Sequence, residues 1–600
     1  MKVSRLALSV VFGLAVSLHV VRGQASAGDA LERALRDELK RSMEQLQLEK
    51  LGKPYFIAYR VTEMHTVGAI ARFGSLASSY DQRERRLSVE LRIGDYGFDN
   101  SNFFVMPSMS SRSSFGGSKL PLDDDYAAFR RQIWLATDAA YKHAIETIAA
   151  KRSAQLNRRT NDSLPDFTRE PVTRTTDIDE SRPASLAELQ SLVRDLSGMR
   201  ELAKLPTSSA GATLIEMRER FVSSEGTTYT RARPLLTVTL IVTSQANDGA
   251  GLNAQTSTFS AGYDPSAAHR EFEARMRALA LGMDSLRAAP VIERYSGPVL
   301  FEGPAAAQLF ADVFAPALLG SHPIQGATPG FSEMMNGPFG RGGAGSFADK
   351  IGARVLPEWM SVDDDPTMLR FENQPLLGHY KVDDEGVAAR ETRVIEGGFL
   401  KTLLTTRAPV EGVEHSTGNA RGSGAAPSTL IVRSDSGISD AALRKRLLAI
   451  VQRRKIPYGI IVREMQQGGG RAAMMQNMLE GDMESIMSQA SGRSQGSSAP
   501  LLAAYRVYPD GHEERIRGAR LANFTVEAFR DVVAESATRS VVHSISGGMG
   551  MASMAMGNFG SGMPPVASYV VPSLLFEDVA LAKPSGERTT PPLSGPPPAK

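Results

Sequence analysis

The chain has 600 residues, 42% of them hydrophobic, and 68 Lys and Arg stand against 66 Asp and Glu. Because this length exceeds what one hydrophobic core normally organises, we expect two or more globular domains. Balanced charge argues against nucleic acid as a partner, and the lack of cysteine excludes disulfides, thiolate metal ligands and a cysteine nucleophile.

The first 27 residues predict an export signal. Basic Lys2 and Arg5 precede an apolar run from Leu6 to Val21, and Ala25-Ser26-Ala27 suits a signal peptidase. A membrane anchor is the alternative, but the run is short for a bilayer span. Removing the signal takes away three basic residues and leaves 65 basic against 66 acidic ones, a formal charge of −1. We expect an exported, periplasmic or extracellular protein without stable membrane insertion.

The first half of the chain alternates between helical and strand patterns. Apolar residues at helical spacing predict an amphipathic helix from Asp29 to about Leu51. Strict alternation in RRLSVELRIG, residues 85–94, predicts a strand with one face in water. Helical periodicity returns over residues 124–152, where Trp134 and Tyr141 are expected in the core.

Three further elements are predicted before residue 290. Ser185 and Glu188 form a capping-box pattern, which starts a helix that we expect to end near Leu205. Residues 212–245 alternate as strands around a turn at residues 224–226. A helix over about 266–287 closes this half.

The second half is richer in strands, glycines and turns. Gly397-Gly398 can adopt the positive φ angles of a two-residue turn, so residues 390–396 should pair with 399–405. We predict an N-terminal domain over 28–290, a C-terminal domain over 291–582 and a Pro-rich disordered tail over 583–600. Loops or disordered insertions are expected near 98–119, 332–348, 467–499 and 544–563.

Three stretches together carry a family resemblance: SVDDDPT at 361–367, GHYKVDDEGVAARETRVIEGGFLK at 378–401 and STGNARG at 416–422. In order and spacing the chain resembles the TldD/PmbA (modulator of DNA gyrase, peptidase U62) family. The resemblance implies an α+β fold, with an N-terminal domain of sheet and helices and a C-terminal domain of mainly antiparallel strands. It also implies dimers around a cavity that admits unfolded peptide.

The family resemblance also bears on metal chemistry. TldD-like members carry His-Glu-x-x-x-His on a helix that opens the C-terminal domain, and a cysteine near the C-terminus completes the zinc site. Alignment through SGPVLFEGPAAAQLFADVFAPALLG places those three positions on Ala311, Asp312 and Pro316. A methyl group and a proline ring offer no lone pair to zinc. We therefore expect this zinc site to be lost and no cofactor to be bound, with Asp312 where the catalytic Glu of the family would lie. Pro316 should also end or kink the helix.

Two other sets of residues could form a replacement site. His379 and His415 flank an acidic stretch, Asp383-Asp384-Glu385, and folding could bring them together as a rearranged metal site. The stretch is better interpreted as a polar turn, because Asp side chains stabilise such turns by accepting from nearby amides. Ser416 and Thr417 offer hydroxyl nucleophiles, although a neighbour in sequence such as His415 rarely has the geometry of a base.

Contact with peptide is the other interpretation of these motifs, with turn structure as its alternative. Glycines there let a peptide or partner strand approach closely. The peptide-binding candidates are His379, Asp383, Asp384, His415, Thr417, Gly418 and Asn419. Methionines between 549 and 563 resemble copper(I) sites, but a loop or an apolar peptide-contact segment is the better interpretation.

The sequence therefore predicts an exported metallopeptidase-like protein that has lost the zinc of its family. We expect it to bind extended peptide as the non-catalytic half of a peptide-processing complex, as a dimer with a His-Glu-x-x-x-His-bearing paralogue or with itself. One alternative is an active peptidase with a rearranged metal or hydroxyl site. Another is a non-enzymatic binding or scaffold protein of the cell envelope.

Overall fold

The computed structural model describes residues 27–47, 52–104, 119–156, 164–202, 205–326, 347–422, 424–465, 501–522, 524–545 and 565–583. The predicted export signal, the methionine-rich segment 549–563 and the Pro-rich tail lie outside these residues, apart from Ala27 and Lys583. Within the described ranges, no helix combines the length and apolar character that crossing a membrane requires.

The N-terminal half is one six-stranded sheet with four helices. The strands run in the order β2-β1-β4-β5-β3, with β6 also paired to β5. Among these described strands, only the β3–β5 pairing is parallel. The strands are β1 (Pro54–Arg72), β2 (Ser75–Ile93), β3 (Arg174–Ile178), β4 (Thr207–Ser223), β5 (Thr228–Gln245) and β6 (Gly251–Ser260). The helices are α1 (Ala27–Gln45), α2 (Tyr126–Leu156), α3 (Leu186–Ser197) and α4 (Pro265–Ala288).

The helices cover one face of this sheet. Since side chains alternate along a strand, Ile57, Tyr59 and Val61 of β1 pack against α1 and α2, while Val67 and Ala69 pack at the other end against α3 and α4. Residues on the opposite face of β1 and its neighbours, among them Phe56, Ala58 and Tyr229, pack against Val382 of the second half. The uncovered face of the sheet therefore meets the family motifs.

The helices mostly follow the sequence. The capping box is present: the Ser185 side chain accepts from the Glu188 amide, and Glu188 accepts from the Ser185 amide. This helix stops at Ser197, earlier than predicted, because Gly198 follows as its C-cap and glycine is a poor helix former.

The prediction that Trp134 lies in the core is wrong. Tyr141 is fully buried, whereas Trp134 is 43% exposed. The buried stripe of α2 advances in steps of four residues through Phe129, Ile133, Thr137 and Tyr141. Trp134 follows Ile133 directly and so lies about 100° around the helix from it, at the edge of the stripe.

The C-terminal half is built on an eleven-stranded mixed sheet. Its main path is β12-β11-β8-β15-β21-β7-β16-β17-β18; β19 and β20 also pair with β21, and β9–β10 and β13–β14 form two small separate sheets. Of the strand pairings that the structure describes in this half, the β15–β21 and β16–β7 pairings are parallel and the others are antiparallel. The α+β class with mainly antiparallel C-terminal pairings is confirmed.

The helices of this half are α5 (Pro304–Leu309) and α6 (Asp440–Arg454). The strands are β7 (Arg294–Phe301), β8 (Met360–Asp364), β9 (Arg370–Phe371), β10 (Gln374–Pro375), β11 (Thr392–Glu396), β12 (Phe399–Leu400), β13 (Ala420–Arg421), β14 (Gly424–Ala425), β15 (Thr429–Ser434), β16 (Gly459–Met465), β17 (Leu501–Val507), β18 (Glu513–Ile516), β19 (Arg520–Leu521), β20 (Val532–Ile545) and β21 (Val566–Ala582).

The predicted hairpin forms, but it is shorter than expected. Gly397 and Gly398 have φ angles of 57° and 80°, as a two-residue turn requires. Only two residue pairs follow the turn, Ile395 with Leu400 and Glu396 with Phe399. The Lys401 amide still donates to Val394 O of β11 at 2.8 Å, and the chain then leaves β11. The Leu404 amide donates instead to Leu318 O, in the segment after α5, at 2.9 Å.

Candidate functional site

The segment that resembles the metal helix of the family is buried and irregular. After α5 the chain makes a π-helical turn over Phe310–Phe314 and a 3-10 turn over Ala315–Leu318. Pro316 lies in this last turn, and α-helical hydrogen bonding has already ended before it. The rings of Phe310 and Phe314 stack at 4.7 Å in the main hydrophobic core.

Asp312 is the one ionisable group of the π-helical turn. Its Oδ1 accepts from Gln308 Nε2 at 2.9 Å. Asp312 Oδ2 and Gln308 Oε1 are both buried and have no hydrogen-bond partner in the described part of the chain. Burial raises the pKa of Asp312 to about 7, because an apolar environment disfavours the charged carboxylate.

The residues of this segment do not fit a zinc ion. A site of the family's kind needs imidazole nitrogens, and the aligned positions hold the methyl group of Ala311 and the exposed ring of Pro316, neither of which is a ligand. Among the residues that the structure describes, no three His, Asp or Glu side chains are grouped as metal ligands. Within residues 310–318, Asp312 is the one residue with a carboxylate that could bind a metal.

The three sequence motifs meet in one buried network. Asn419 donates from Nδ2 to Asp364 Oδ2 at 2.7 Å, and the Ser428 amide donates to Asp364 Oδ1 at 2.8 Å. Tyr380 donates its hydroxyl to Gly418 O at 2.8 Å. Burial raises the pKa of Asp364. Because each motif supplies one partner, the network ties residues 361–367, 378–401 and 416–422 to one place.

The acidic stretch forms a turn, as expected. Asp383 Oδ1 accepts from the amides of Glu385 and Val387 at 2.9 and 2.8 Å, and Oδ2 accepts from the Ala420 amide at 3.0 Å. Burial and the neighbouring Glu385 carboxylate raise the pKa of Asp383 to about 8. Backbone amides thus occupy both oxygens of the Asp383 carboxyl group, so Asp383 has a structural role in this turn.

Asp384 turns the other way, towards the N-terminal sheet. Its carboxylate pairs with Arg231 of β5 and accepts from the Gly422 amide at 2.6 Å, and Arg60 of β1 donates to its carbonyl. Burial alone would raise the pKa of Asp384, but the guanidinium groups of Arg231 and Arg60 outweigh it and hold the pKa below its usual range. This residue links the two halves.

The two motif histidines lie in different surroundings. His379 is partly buried, and its Nδ1–H donates to Leu376 O at 2.7 Å. Burial and the nearby Arg233 lower its pKa, which keeps the ring neutral. The His415 side chain is 71% exposed, with Nδ1 3.6 Å from a carboxylate oxygen of Glu170. The structure does not bring them together as metal ligands.

The hydroxyls beside His415 stabilise a loop. Thr417 Oγ1 accepts from the Thr405 amide at 2.7 Å, and Ser416 Oγ accepts from the Gly418 amide at 3.1 Å. Both side chains are buried. Neither hydroxyl has a histidine partner among the described residues, so a base that would activate it is not in place. Gly418 has φ of 82°, and a Cβ there would come 3.0 Å from Ala388 O.

A small cavity of about 80 Å³ lies where the motifs meet the N-terminal sheet. Its walls include Arg231 and Arg233 of β5, His379 and Tyr380 of the second motif, and Arg421 of the third. These arginines are absent from the peptide-binding residues predicted from the sequence. The available signal was the alternation Arg231-x-Arg233 on one strand face, together with Arg421 inside STGNARG.

The cavity also borders a gap in the N-terminal sheet. β3 pairs with β5 up to Ala232, and β6 pairs with it from Leu236 onward. Between them, residues 233–235 of β5 pair with neither strand, and all three of these residues line the cavity. This short stretch of β5 therefore has no partner in β3 or β6, although Pro234 and Leu235 are buried and proline has no amide to donate.

Comparison with known proteins supports the family resemblance of the sequence motifs. Residues 294–583 match the profile of the PmbA/TldA metallopeptidase C-terminal domain. The chain is 42% identical over 79 residues to a metalloprotease of Methanocaldococcus jannaschii, and 36% identical over 58 residues to a metalloprotease PmbA homologue of Haemophilus influenzae. These alignments cover 13% and 10% of this chain, and only 16% and 12% of the relatives' own length.

Two solved structures share the fold over nearly the whole chain. TldE from Thermococcus kodakarensis superposes with a TM-score of 0.51, and a putative modulator of a DNA gyrase from Thermotoga maritima with 0.53. Each likeness covers 92% of this chain and 100% of the other, at 14% sequence identity. At that identity the likeness concerns the fold.

Proposed function

Because the chain belongs to the TldD/PmbA family, we propose that it is an exported, zinc-less member that binds unfolded peptide as the partner subunit of a peptide-processing complex. It contributes a peptide-holding wall, and a His-Glu-x-x-x-His-bearing paralogue or a second copy of the chain completes the dimer. Export rests on the N-terminal sequence pattern.

One observation supports the proposed loss of zinc-dependent catalysis. The positions of the two histidine ligands hold the methyl group of Ala311 and the exposed ring of Pro316. Beside them, the rings of Phe310 and Phe314 stack on each other in the main hydrophobic core. Without a metal to acidify a bound water, Asp312 has no nucleophile to activate. Its raised pKa follows from burial in the same apolar turn.

Peptide binding is supported by the junction between the two halves. An extended peptide binds a sheet through main-chain hydrogen bonds, and nearby pockets select its side chains. Residues 233–235 of β5 pair with neither β3 nor β6, and the adjoining cavity collects residues from the second and third motifs. Of the predicted peptide contacts, His379 and Asp384 line this cavity.

The decisive experiment uses mature protein purified from its own envelope. Its metal content is measured, labelled unfolded peptides are titrated, and cleavage is assayed with and without a chelator. We expect substoichiometric metal, saturable peptide binding and no cleavage by the lone chain, in wild type and in Asp312→Ala alike. Co-purifying proteins identify the partner.

Chelator-sensitive cleavage by the lone chain would overturn the proposal in favour of a rearranged active site. Failure to bind any unfolded peptide, in a sample with native circular dichroism, would favour a scaffold role instead.

A further inference from the structure

The arginines of the cavity are unequally neutralised. Arg231 pairs with Glu219 and Asp384, and Arg233 pairs with Asp177 at 2.7 Å. Arg421 has no carboxylate within ion-pair distance in the described ranges. Its Nη1 and Nη2 donate to the carbonyls of Pro427 and Val566 at 2.7 and 3.0 Å, and its guanidinium lies 5.0 Å from the ring centre of Tyr380.

This arrangement leaves donors and charge available. A guanidinium has five N–H donors, and the described residues accept two of those of Arg421. Apolar groups, including Leu377, Pro565 and Val566, also line the cavity, together with Asp179 and Asp384. Burial accordingly lowers the pKa of Arg421. The Asp384 carboxylate also lines the cavity and acts to raise the pKa of Arg421, but it is already paired with Arg231. A buried cation without a directly paired counter-charge is unfavourable, and a carboxylate that accepts from its planar fork removes that cost.

We propose that this cavity holds a carboxylate group of the bound peptide, with Arg421 as its counter-ion. The inference rests on the proposed peptide-binding function and specifies what that site recognises. A volume of about 80 Å³ amounts to a few water-sized groups, which suits a carboxylate and the carbon that carries it. Residues 233–235 of β5, which pair with neither β3 nor β6, line the same cavity and adjoin the place where the peptide main chain enters.

The test uses small probes and a long peptide on the mature full chain. N-acetyl-triglycine, its C-terminal amide, and the α-amide of N-acetyl-glutamic acid are titrated by calorimetry. A labelled unfolded peptide is titrated with a free and with an amidated C-terminus. We expect the free acid to bind at least about tenfold more tightly than the amide, as charge-assisted hydrogen bonds imply.

Variants test whether Arg421 causes the preference for the free acid. Arg421→Gln should abolish the preference for the carboxylate, and Arg421→Lys should keep part of it, because the charge remains while the fork is lost. Arg446→Gln removes an exposed arginine of α6 and should leave the preference unchanged. If the glutamate α-amide binds as well as the acid, the recognised group is an acidic side chain; if it does not, the group is the peptide terminus.

Equal affinity of acid and amide for the wild type would overturn the inference, and peptide binding would stand if the long peptides still bound. Binding of the small carboxylate without binding of either long peptide would support the cavity and overturn the proposed function.

Discussion

At the scale of single residues, Asp312 shows how an apolar setting acts on a retained acid. Its carboxyl group has one hydrogen bond, from Gln308, and burial raises its pKa to about 7. The folded protein therefore keeps the proton to higher pH than the unfolded chain does. Its contribution to stability falls as pH rises from about 4 to about 7, and stays level above that.

Asp312→Asn should remove this penalty. We expect the free energy of unfolding at pH 7.5 to rise by about 2–4 kcal/mol, since a neutral amide still accepts from Gln308. The stability profile between pH 4.5 and 7 should also flatten. Urea unfolding across pH measures both. The exposed Asp435→Asn serves as control and should change neither; identical profiles for wild type and Asp312→Asn would contradict the prediction.

At the scale of elements, α3 depends on its capping box. The Ser185 side chain and the Glu188 carboxylate satisfy amides of the first turn that otherwise have no partner. Ser185→Ala should lower the free energy of unfolding by about 1 kcal/mol. Thermal unfolding checks this against Ser191→Ala, an exposed position on the same helix where no cap is lost. Equal effects of the two changes would show that the cap contributes nothing.

The two glycines of the Gly397-Gly398 turn allow the same substitution, glycine to alanine, to be compared at neighbouring positions. A Cβ on Gly398 would meet Leu356 O at 2.5 Å, whereas one on Gly397 would find its nearest atom at 3.7 Å. Both residues have positive φ, which alone costs an alanine about 1 kcal/mol. Gly398→Ala should therefore destabilise by about 2–4 kcal/mol, and Gly397→Ala by about 1 kcal/mol. Denaturant unfolding measures the difference; a larger loss for Gly397→Ala would contradict it.

At the scale of the whole molecule, polar contacts hold the two halves together. Arg407, from the C-terminal half, is 3% exposed and pairs with both carboxylate oxygens of Glu225 at 2.8 Å. It also donates from Nε to Thr168 O at 3.0 Å and lies over the ring of Phe167 at 3.9 Å. Burial makes this junction dependent on complete pairing.

Arg407→Leu should cost about 3–5 kcal/mol, because it removes the guanidinium that is paired with both carboxylate oxygens of Glu225. Arg444 also pairs with both oxygens of a glutamate, Glu302, but its side chain is 46% exposed. Arg444→Leu should accordingly cost less than about 1 kcal/mol. Urea unfolding compares the two, and similar losses would mean that burial does not govern the strength of these pairs.

The sequence by itself determined the local elements and the family. Periodicity predicted α1, β2 and α4, the Ser185 and Glu188 pattern predicted the start of α3, and the glycine pair predicted the turn, because these signals act between residues a few positions apart. The motifs identified the family, and the alignment predicted which segment corresponds to its metal helix.

Only the tertiary structure decided which side chains meet. Arg231 and Asp384 are 153 residues apart in sequence yet pair, and Arg421 faces a cavity that β5 helps to form. Trp134 and Tyr141 are about two helical turns apart and so lie on nearly the same side of α2. Nevertheless, Trp134 is exposed and Tyr141 is buried. Strand order and helix packing bring distant residues together or leave them in solvent, and a local pattern contains no information about that arrangement.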